Sequence, residues 1–291
     1  MPPIRSAQTH SQSLHSIKKM KIKNLVNTLL ILLCFGCGES VKYYSNNYEI
    51  EKNTKEIELN PNNDKAYNMR GVARLSIGDC TEALKDFKSA IQIKENISEY
   101  FSNRGRAYNC LGNFDLGMQD CKEAIKLDSL NLYGHVNYSW GLLHTNQFEK
   151  SIRHAQIVID EKTTNKELNA MAFNNKGSAL MMMKNYNEAI DALKKATANN
   201  QNNELPFVNL GQINTMQLSF AEAQINFEKA IRINDQSKEA FWGLGNLNLK
   251  LGKTEKACTF YKKALELGVN YTNIKGETYA SFYKKICKNK N

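Results

Sequence analysis

The chain has 291 residues, 42% of them hydrophobic and 23% charged, which is enough apolar material for a sizeable core. Its formal charge of +10 is uneven: Arg5, Lys18, Lys19, Lys21 and Lys23 precede residue 37 with no acid among them, and the remainder carries 34 basic against 29 acidic residues, or +5. No basic stripe interleaved with stacking aromatics follows, so nucleic acid is excluded as an expected partner.

Residues 1–19 are polar and unpatterned, and a signal-like segment begins at Met20, so Met20 reads as the true start. A long n-region is the alternative. Met20-Lys21-Ile22-Lys23 leads into an apolar run from Leu25 to Phe35, broken by Asn27 and Thr28, and then Gly36-Cys37. Eleven helical residues span about 16 Å against a hydrocarbon core of roughly 30 Å, too short for a good transmembrane anchor. A positive n-region, a short apolar stretch and a small residue at the cut describe a secretory signal over residues 1–36. The Gly36-Cys37 junction resembles the lipobox of bacterial lipoproteins, although Cys34 stands three residues before Cys37 where that family favours Leu. The resemblance implies lipidation of Cys37, loss of the preceding residues, and a place in the bacterial cell envelope facing the periplasm or the cell surface. A plain secretory signal and an uncleaved anchor are the other readings.

Residues 37–63 read as a tether, polar over Gly38 to Asn47, with a capping helix over about 43–60 before Asn60-Pro61. From residue 64 one pattern recurs about every 34 residues, the mark of a repeat architecture. Gly71, Gly105, Gly177, Gly211 and Gly245 align, each four residues after an aromatic: Tyr67, Phe101, Phe173, Phe207 and Phe241. Ala83, Gly117, Ala189, Ala223 and Ala257 follow the glycine at one fixed distance, and Ala90, Ala124, Ala196, Ala230 and Ala264 at another. Small residues at these crossing points let two short helices approach closely. Turns at Gly78-Asp79, Gly112-Asn113, Lys184-Asn185 and Gly252-Lys253 end the first helix of a pair and begin the second. One pair cannot bury its apolar faces alone, so neighbours must stack.

This period and pattern resemble the tetratricopeptide repeat family. The resemblance implies an all-α, right-handed α-solenoid of six helix-turn-helix units: 64–97, 98–131, 132–169, 170–203, 204–237 and 238–271. Residues 272–291 then read as a capping helix and basic tail. The third unit departs most, with Ser139 for the glycine, Ser151 and Val158 for the two alanines, and four extra residues around Thr163 to Lys166.

No phosphate loop, GxSxG or HExxH is present, and the repeats leave no stretch for a catalytic domain. The chain reads as a non-enzyme with no cofactor. His135 takes the aromatic position of the third unit, a core position, and His144 and His154 lack partners at ligand spacing, so no metal is expected. Cys34-Phe35-Gly36-Cys37 has redox spacing but ends a signal segment instead of opening a helix in a βαβ setting. Cys258, on the second helix of the last unit, can pair with Cys287 on the amphipathic segment Tyr279 to Ile286 if that segment folds back as a cap. A small core residue is the other reading of Cys258. Cys80 with Cys110 is a further pairing, and Cys121 takes a core position.

In the resembled family the first helices line a concave groove. With the aromatic counted as position four, position six reads Met69, Asn103, Asn137, Asn175, Asn209 and Gly243. Four consecutive asparagines form a row whose amides can pair with a peptide backbone. This is similar to the asparagine ladder of the family's sugar-transferring members, whose catalytic domain has no counterpart here. Asparagine as a common filler of that position is the alternative. Asn68, Arg106, Asn174, Ser178, Gln212 and Asn246 are the other polar groove residues. Tyr133, Val136, Trp140, Met181, Met182, Val208, Met216 and Trp242 are apolar ones suited to adaptable capture, with Val136 and Val208 facing the neighbouring helix. The carboxylate clamp of chaperone-binding members does not carry over, because its positions read Asn68, Val72, Asn103 and Arg106.

The expected function is a membrane-tethered scaffold holding a peptide or partner protein in the groove. A structural protein whose solenoids stack as homo-oligomers is one alternative. An accessory subunit presenting substrate to a separate envelope enzyme is the other.

Overall fold

The computed structural model describes residues 38–269 and 278–288; in the first helix, side chains are described from residue 45. The signal-like segment, Met20 and Cys37 lie outside the described residues. Among the described residues every element but a single bridge residue at Thr278 is helical, so the fold is all-α, and the helices pack as pairs repeated in register. No described helix is long and apolar enough to cross a membrane. The described residues fall into two compact units, one ending at Ile93 and one starting at Lys94.

The first unit contains α1 (Gly38–Leu59), α2 (Asp64–Ser76) and α3 (Cys80–Ile93). The helix α1 includes the stretch Gly38 to Asn47 read above as a tether. Nothing between Glu39 and Leu59 breaks a helix, and Asn60-Pro61 stops it. Gly71 makes the α2–α3 crossing: a Cβ there would lie 2.6 Å from Cε1 of the fully buried Phe87. Asp86, 2% exposed, accepts from two arginines of α2, Arg70 Nη2 at 2.7 Å and Arg74 Nη1 at 2.6 Å. Arg70 Nη1 also donates to Thr54 Oγ1 of α1 at 3.2 Å.

The second unit runs through α4 (Ser98–Cys110), α5 (Phe114–Leu127), α6 (Leu132–His144), α7 (Phe148–Asp160), α8 (Lys166–Met182), α9 (Tyr186–Asn199), α10 (Leu205–Met216), α11 (Phe220–Ile233), α12 (Lys238–Lys250) and α13 (Thr254–Glu266). A five-residue helix α14 (Tyr279–Tyr283) follows, continuing into a wider turn over Lys284–Lys288. The extra residues before the fourth pair do not stay in the loop. Asn165 caps α8 through Oδ1, which accepts from Leu168 N at 3.0 Å, so this helix starts at Lys166 and reaches 17 residues, four ahead of the expected boundary at 170.

One turn closes all six pairs. The second residue after the first helix has positive φ at Gly78, Gly112, Asn146, Lys184, Leu218 and Gly252, between 58° and 83°. The next residue donates its N–H five residues back: Asp79 to Arg74 O, Asn113 to Tyr108 O, Gln147 to Leu142 O, Asn185 to Leu180 O, Ser219 to Asn214 O and Lys253 to Asn248 O, at 2.8 to 2.9 Å. This is the Schellman closure, for which glycine is the low-cost residue. Asn146, a residue that tolerates this conformation, and Leu218, one that does not favour it, fill the same role.

Crossings within the second unit repeat the logic of Gly71. Phe227, 1% exposed, lies between Gly211 of α10 and Gly243 of α12; a Cβ on either would overlap its ring. Leu193 fills the same place against Gly177, and Tyr261 against Gly245. Cys121 sits against Gly105, buried, and burial together with Asp120 pushes its thiol far above the ordinary range. A second link joins the two helices of a pair sixteen residues apart, and its chemistry changes along the chain. It is Arg70–Asp86 in the first pair and Arg104–Asp120 at 2.7 Å in the second, where the hydrogen bond to Asp120 holds the guanidinium proton more tightly. In the third pair it becomes Tyr138–His154, rings edge-on at 4.7 Å. The last two pairs place Leu210–Asn226 and Leu244–Phe260 there.

Candidate functional site

The first helices of the second unit stand side by side, and the asparagine at position six joins each to the one before it. Asn137 Nδ2 of α6 donates to Ser102 O of α4 at 3.1 Å. Asn175 Nδ2 of α8 donates to Val136 O of α6 at 3.0 Å. Asn209 Nδ2 of α10 donates to Asn174 Oδ1 at 3.1 Å and Ser178 Oγ at 2.9 Å, both on α8. Asn137 and Asn175 are each 3% exposed. Their donors are spent on backbone carbonyls inside the protein and almost none of either side chain is exposed, so these two amides are ties between repeats with little surface to offer a ligand. Asn103 is half-buried and engaged. The expected four-amide ladder therefore reduces to Asn209, half-buried, whose Oδ1 has no partner among the described residues.

Around Asn209 opens a cavity of about 420 Å³. Its apolar wall is Trp140, Leu143, Met181, Met182, Leu205 and Val208, and its polar groups include Asn174, Ser178, Asn209 and Gln212. Helix α10 starts at Leu205-Pro206, where proline's fixed φ suits the first turn, and this brings Leu205, Val208, Asn209 and Gln212 to the cavity at helical spacing. Gln212, half-buried, makes no side-chain hydrogen bond, so its amide offers both donor and acceptor one turn beyond the free oxygen of Asn209. Met182 is 49% exposed and, one repeat on, Met216 is 52% exposed. At the other side His144 lies flat on Phe114, centroids 4.5 Å apart at 4°, and meets the Trp140 ring at 4.5 Å. Burial lowers the His144 pKa, which keeps this wall uncharged. Glu239, the one carboxylate lining the cavity, is already engaged.

The other expected groove residues lie elsewhere. Asn68 is 3% exposed on α2 in the first unit, and Arg106 is half-buried on α4. Trp242 is 7% exposed under the C-terminal segment, its ring stacked on Tyr279 at 3.8 Å and 1°, so it is not a groove contact. Asn246 is exposed and accepts from Tyr261 Oη at 2.8 Å. Val136 is fully buried against α8, while Val208, 2% exposed, still lines the cavity. Cys258 and Cys287 are joined as a disulfide, Cys80 and Cys110 are disulfide-bonded cysteines, and Cys121 is the free cysteine among the described residues.

Two histidines that looked scattered in sequence meet in the third pair. His135 Nδ1 and His154 Nδ1 lie 2.9 Å apart, and His135 Nε2 lies 3.2 Å from Ser129 O. A carbonyl only accepts, so His135 Nε2 carries its hydrogen, and a neutral His135 accepts from His154 Nδ1–H. Burial first, then His135 and Arg153, depress the His154 pKa to about 4 from an ordinary 6.5. Below pH 6.5 the unfolded ring takes a proton that the folded ring refuses until near pH 4, so this group's share of stability is present above 6.5 and is lost as pH falls through that window. Thermal melts from pH 7 to 4 should show Tm falling across this range, and His154→Gln should flatten the slope. An equal slope in both proteins would remove the pair from the account. Among the described residues no group of three or more His, Cys, Asp or Glu side chains could hold a metal ion.

The tetratricopeptide repeat family matches residues 171–203 and 238–267, the fourth and sixth pairs. No curated protein matches the chain. Among solved structures, one of the APC/C hetero-tetramer Cut9–Hcn1 superposes with a TM-score of 0.69 at 11% identity over 83% of this chain, which spans 46% of that one. A tetratricopeptide repeat protein from Parabacteroides merdae ATCC 43184 gives 0.60 at 16% identity, over 82% of this chain and 90% of the other. PilW, described as a type IV pilus biogenesis factor, gives 0.58 at 16% identity, over 70% and 92%. At these identities the likeness is one of fold. Residues 171–203 and 238–267 thus match the tetratricopeptide repeat family, within a chain whose fold is that of tetratricopeptide repeat proteins over its matched length.

Proposed function

We propose that this protein is a non-enzymatic scaffold that holds a segment of a partner protein in the groove formed by α6, α8 and α10. The observation that carries the reading is the 420 Å³ cavity, where an aromatic and two methionines adjoin one free amide and one free carbonyl oxygen. A bulky apolar side chain of the partner fills the space between Trp140, Met181 and Val208, and the partner's backbone pairs with Gln212 and Asn209 Oδ1. Methionines and a rigid indole suit adaptable capture of this kind. The neutral wall favours an uncharged or apolar insert. The same reading makes the chain a bacterial envelope lipoprotein attached through Cys37; the Gly36-Cys37 junction after a basic, apolar leader supports it.

The test is affinity capture of the C-terminally tagged full chain from its own cells in mild detergent, beside the variant Trp140→Ala/Met182→Ala/Gln212→Ala. These side chains are half-buried or exposed, so the variant should keep its helical signal. A partner enriched by the parent and lost by the variant supports the groove; equal capture moves the binding face elsewhere. In a parallel arm, Cys37→Ser should shift the protein from the membrane to the soluble fraction, and unchanged fractionation would sink the lipid anchor.

A further inference from the structure

The amide ties define what a repeat presents to its successor. Position five of each first helix is the seat for the next repeat: Ser102 O receives Asn137, Val136 O receives Asn175, and Asn174 Oδ1 receives Asn209. In the last described pair position five is Trp242, and among the described residues no further helix pair packs on α12 and α13. Its seat is nevertheless filled. Tyr279 lies flat on the Trp242 ring at 3.8 Å, and Phe282 meets Tyr261 edge-on at 5.6 Å. Tyr279, Phe282, Tyr283 and Cys287 pack on the cluster formed by Trp242, Ala257, Tyr261, Ala264 and Val269. The segment thus imitates an incoming first helix, with Tyr279 where the next position-six residue would stand.

Two features separate this substitute from a true repeat. It has only one five-residue helix and a wide turn, and its side chains are half-buried or exposed, so non-covalent contacts hold it weakly. It is instead fastened by the disulfide Cys258–Cys287, which closes a 29-residue interval and whose two cysteines are both partly exposed. Closing a loop of that length favours the docked form by a few hundred-fold in the chain-entropy account.

We propose that residues 278–287 are a redox-released plug over the Trp242–Tyr261 face of the sixth pair. A dithiol reductant attacks the Cys258–Cys287 bond, is itself oxidised to a disulfide, and leaves two thiols, one on α13 and one on the plug. The plug then leaves, and the Trp242–Tyr261 face is exposed to solvent.

The test uses the full chain carrying Trp140→Phe, so that Trp242 is the one indole reporting. Its emission and acrylamide quenching are compared with the same chain carrying Cys258→Ser/Cys287→Ser, which leaves the other cysteines untouched. The proposal expects red-shifted emission and loss of quench protection at Trp242, with the far-UV helical signal retained. Unchanged quenching would overturn it, because the rings alone would then hold the segment. Loss of the helical signal would overturn it too, because the bond would then be a staple for the whole array and not a latch. Adding Tyr279→Ala to the serine variant should change quenching no further; a further rise would mean that the plug had stayed docked without the bond.

Discussion

Phe227→Ala is expected to cost about 3–5 kcal/mol of stability, the range for truncating a fully buried aromatic ring. The ring is 1% exposed and fits between Gly211 and Gly243, two glycines on successive first helices that have no Cβ because the ring needs the space. Removing it leaves a void between two helix faces that carry no side chain there to fill it. In an array where each repeat contacts only its neighbours, the loss should fall on the fourth to sixth pairs. Urea denaturation should show a lower midpoint, and amide exchange should speed up most over residues 186–264. Leu at the site should recover part of the loss, whereas uniform acceleration over residues 64–291 would show that the array unfolds as one block.

Asp86→Ala should cost about 3 kcal/mol, the low end for removing one partner of a buried ion pair. Asp86 has 3% of its side chain exposed and satisfies Arg70 and Arg74 together, so its loss leaves two guanidinium groups facing each other with only the more exposed Glu82 carboxylate near them. Asp120→Ala should cost less, since a single arginine depends on it and that arginine is 20% exposed. Chemical denaturation of both variants decides the matter. Equal losses would mean that the second arginine adds nothing. The double change Asp86→Leu/Arg70→Leu should recover stability relative to Asp86→Ala, because a buried pair often breaks even against apolar groups of similar volume.

The helix pairs were legible in the sequence because their determinants are local and periodic: a glycine at one crossing, an alanine at the other, an aromatic four residues before. The start of α8 was not, since the cap at Asn165 needs only a polar side chain in a run of polar residues. Nor was the turn at Leu218, where the register of the neighbouring pairs imposes a backbone conformation that the residue does not favour. The position of the groove could be read, and several of its lining residues with it. What failed was the inference from residue type to exposure. An asparagine at position six can face a ligand or reach back to the previous helix, and the choice depends on helix spacing that no single chain position encodes. Trp242 misled for a related reason, because the segment that covers it lies 37 residues away.

The amide ties also bear on whether these repeats are interchangeable parts. Asn137 and Asn175 reach a carbonyl, which every residue has, and they do so across 35 and 39 positions, so four extra residues were absorbed without losing the bond. Asn209 instead reaches two side chains, Asn174 and Ser178, which only the fourth repeat supplies at those places. An engineer shuffling modules, or a gene duplicating them, can therefore exchange the earlier repeats with little loss. The fifth is written for one neighbour, and moved behind any other it would lose the serine hydroxyl that its amide reaches at Ser178.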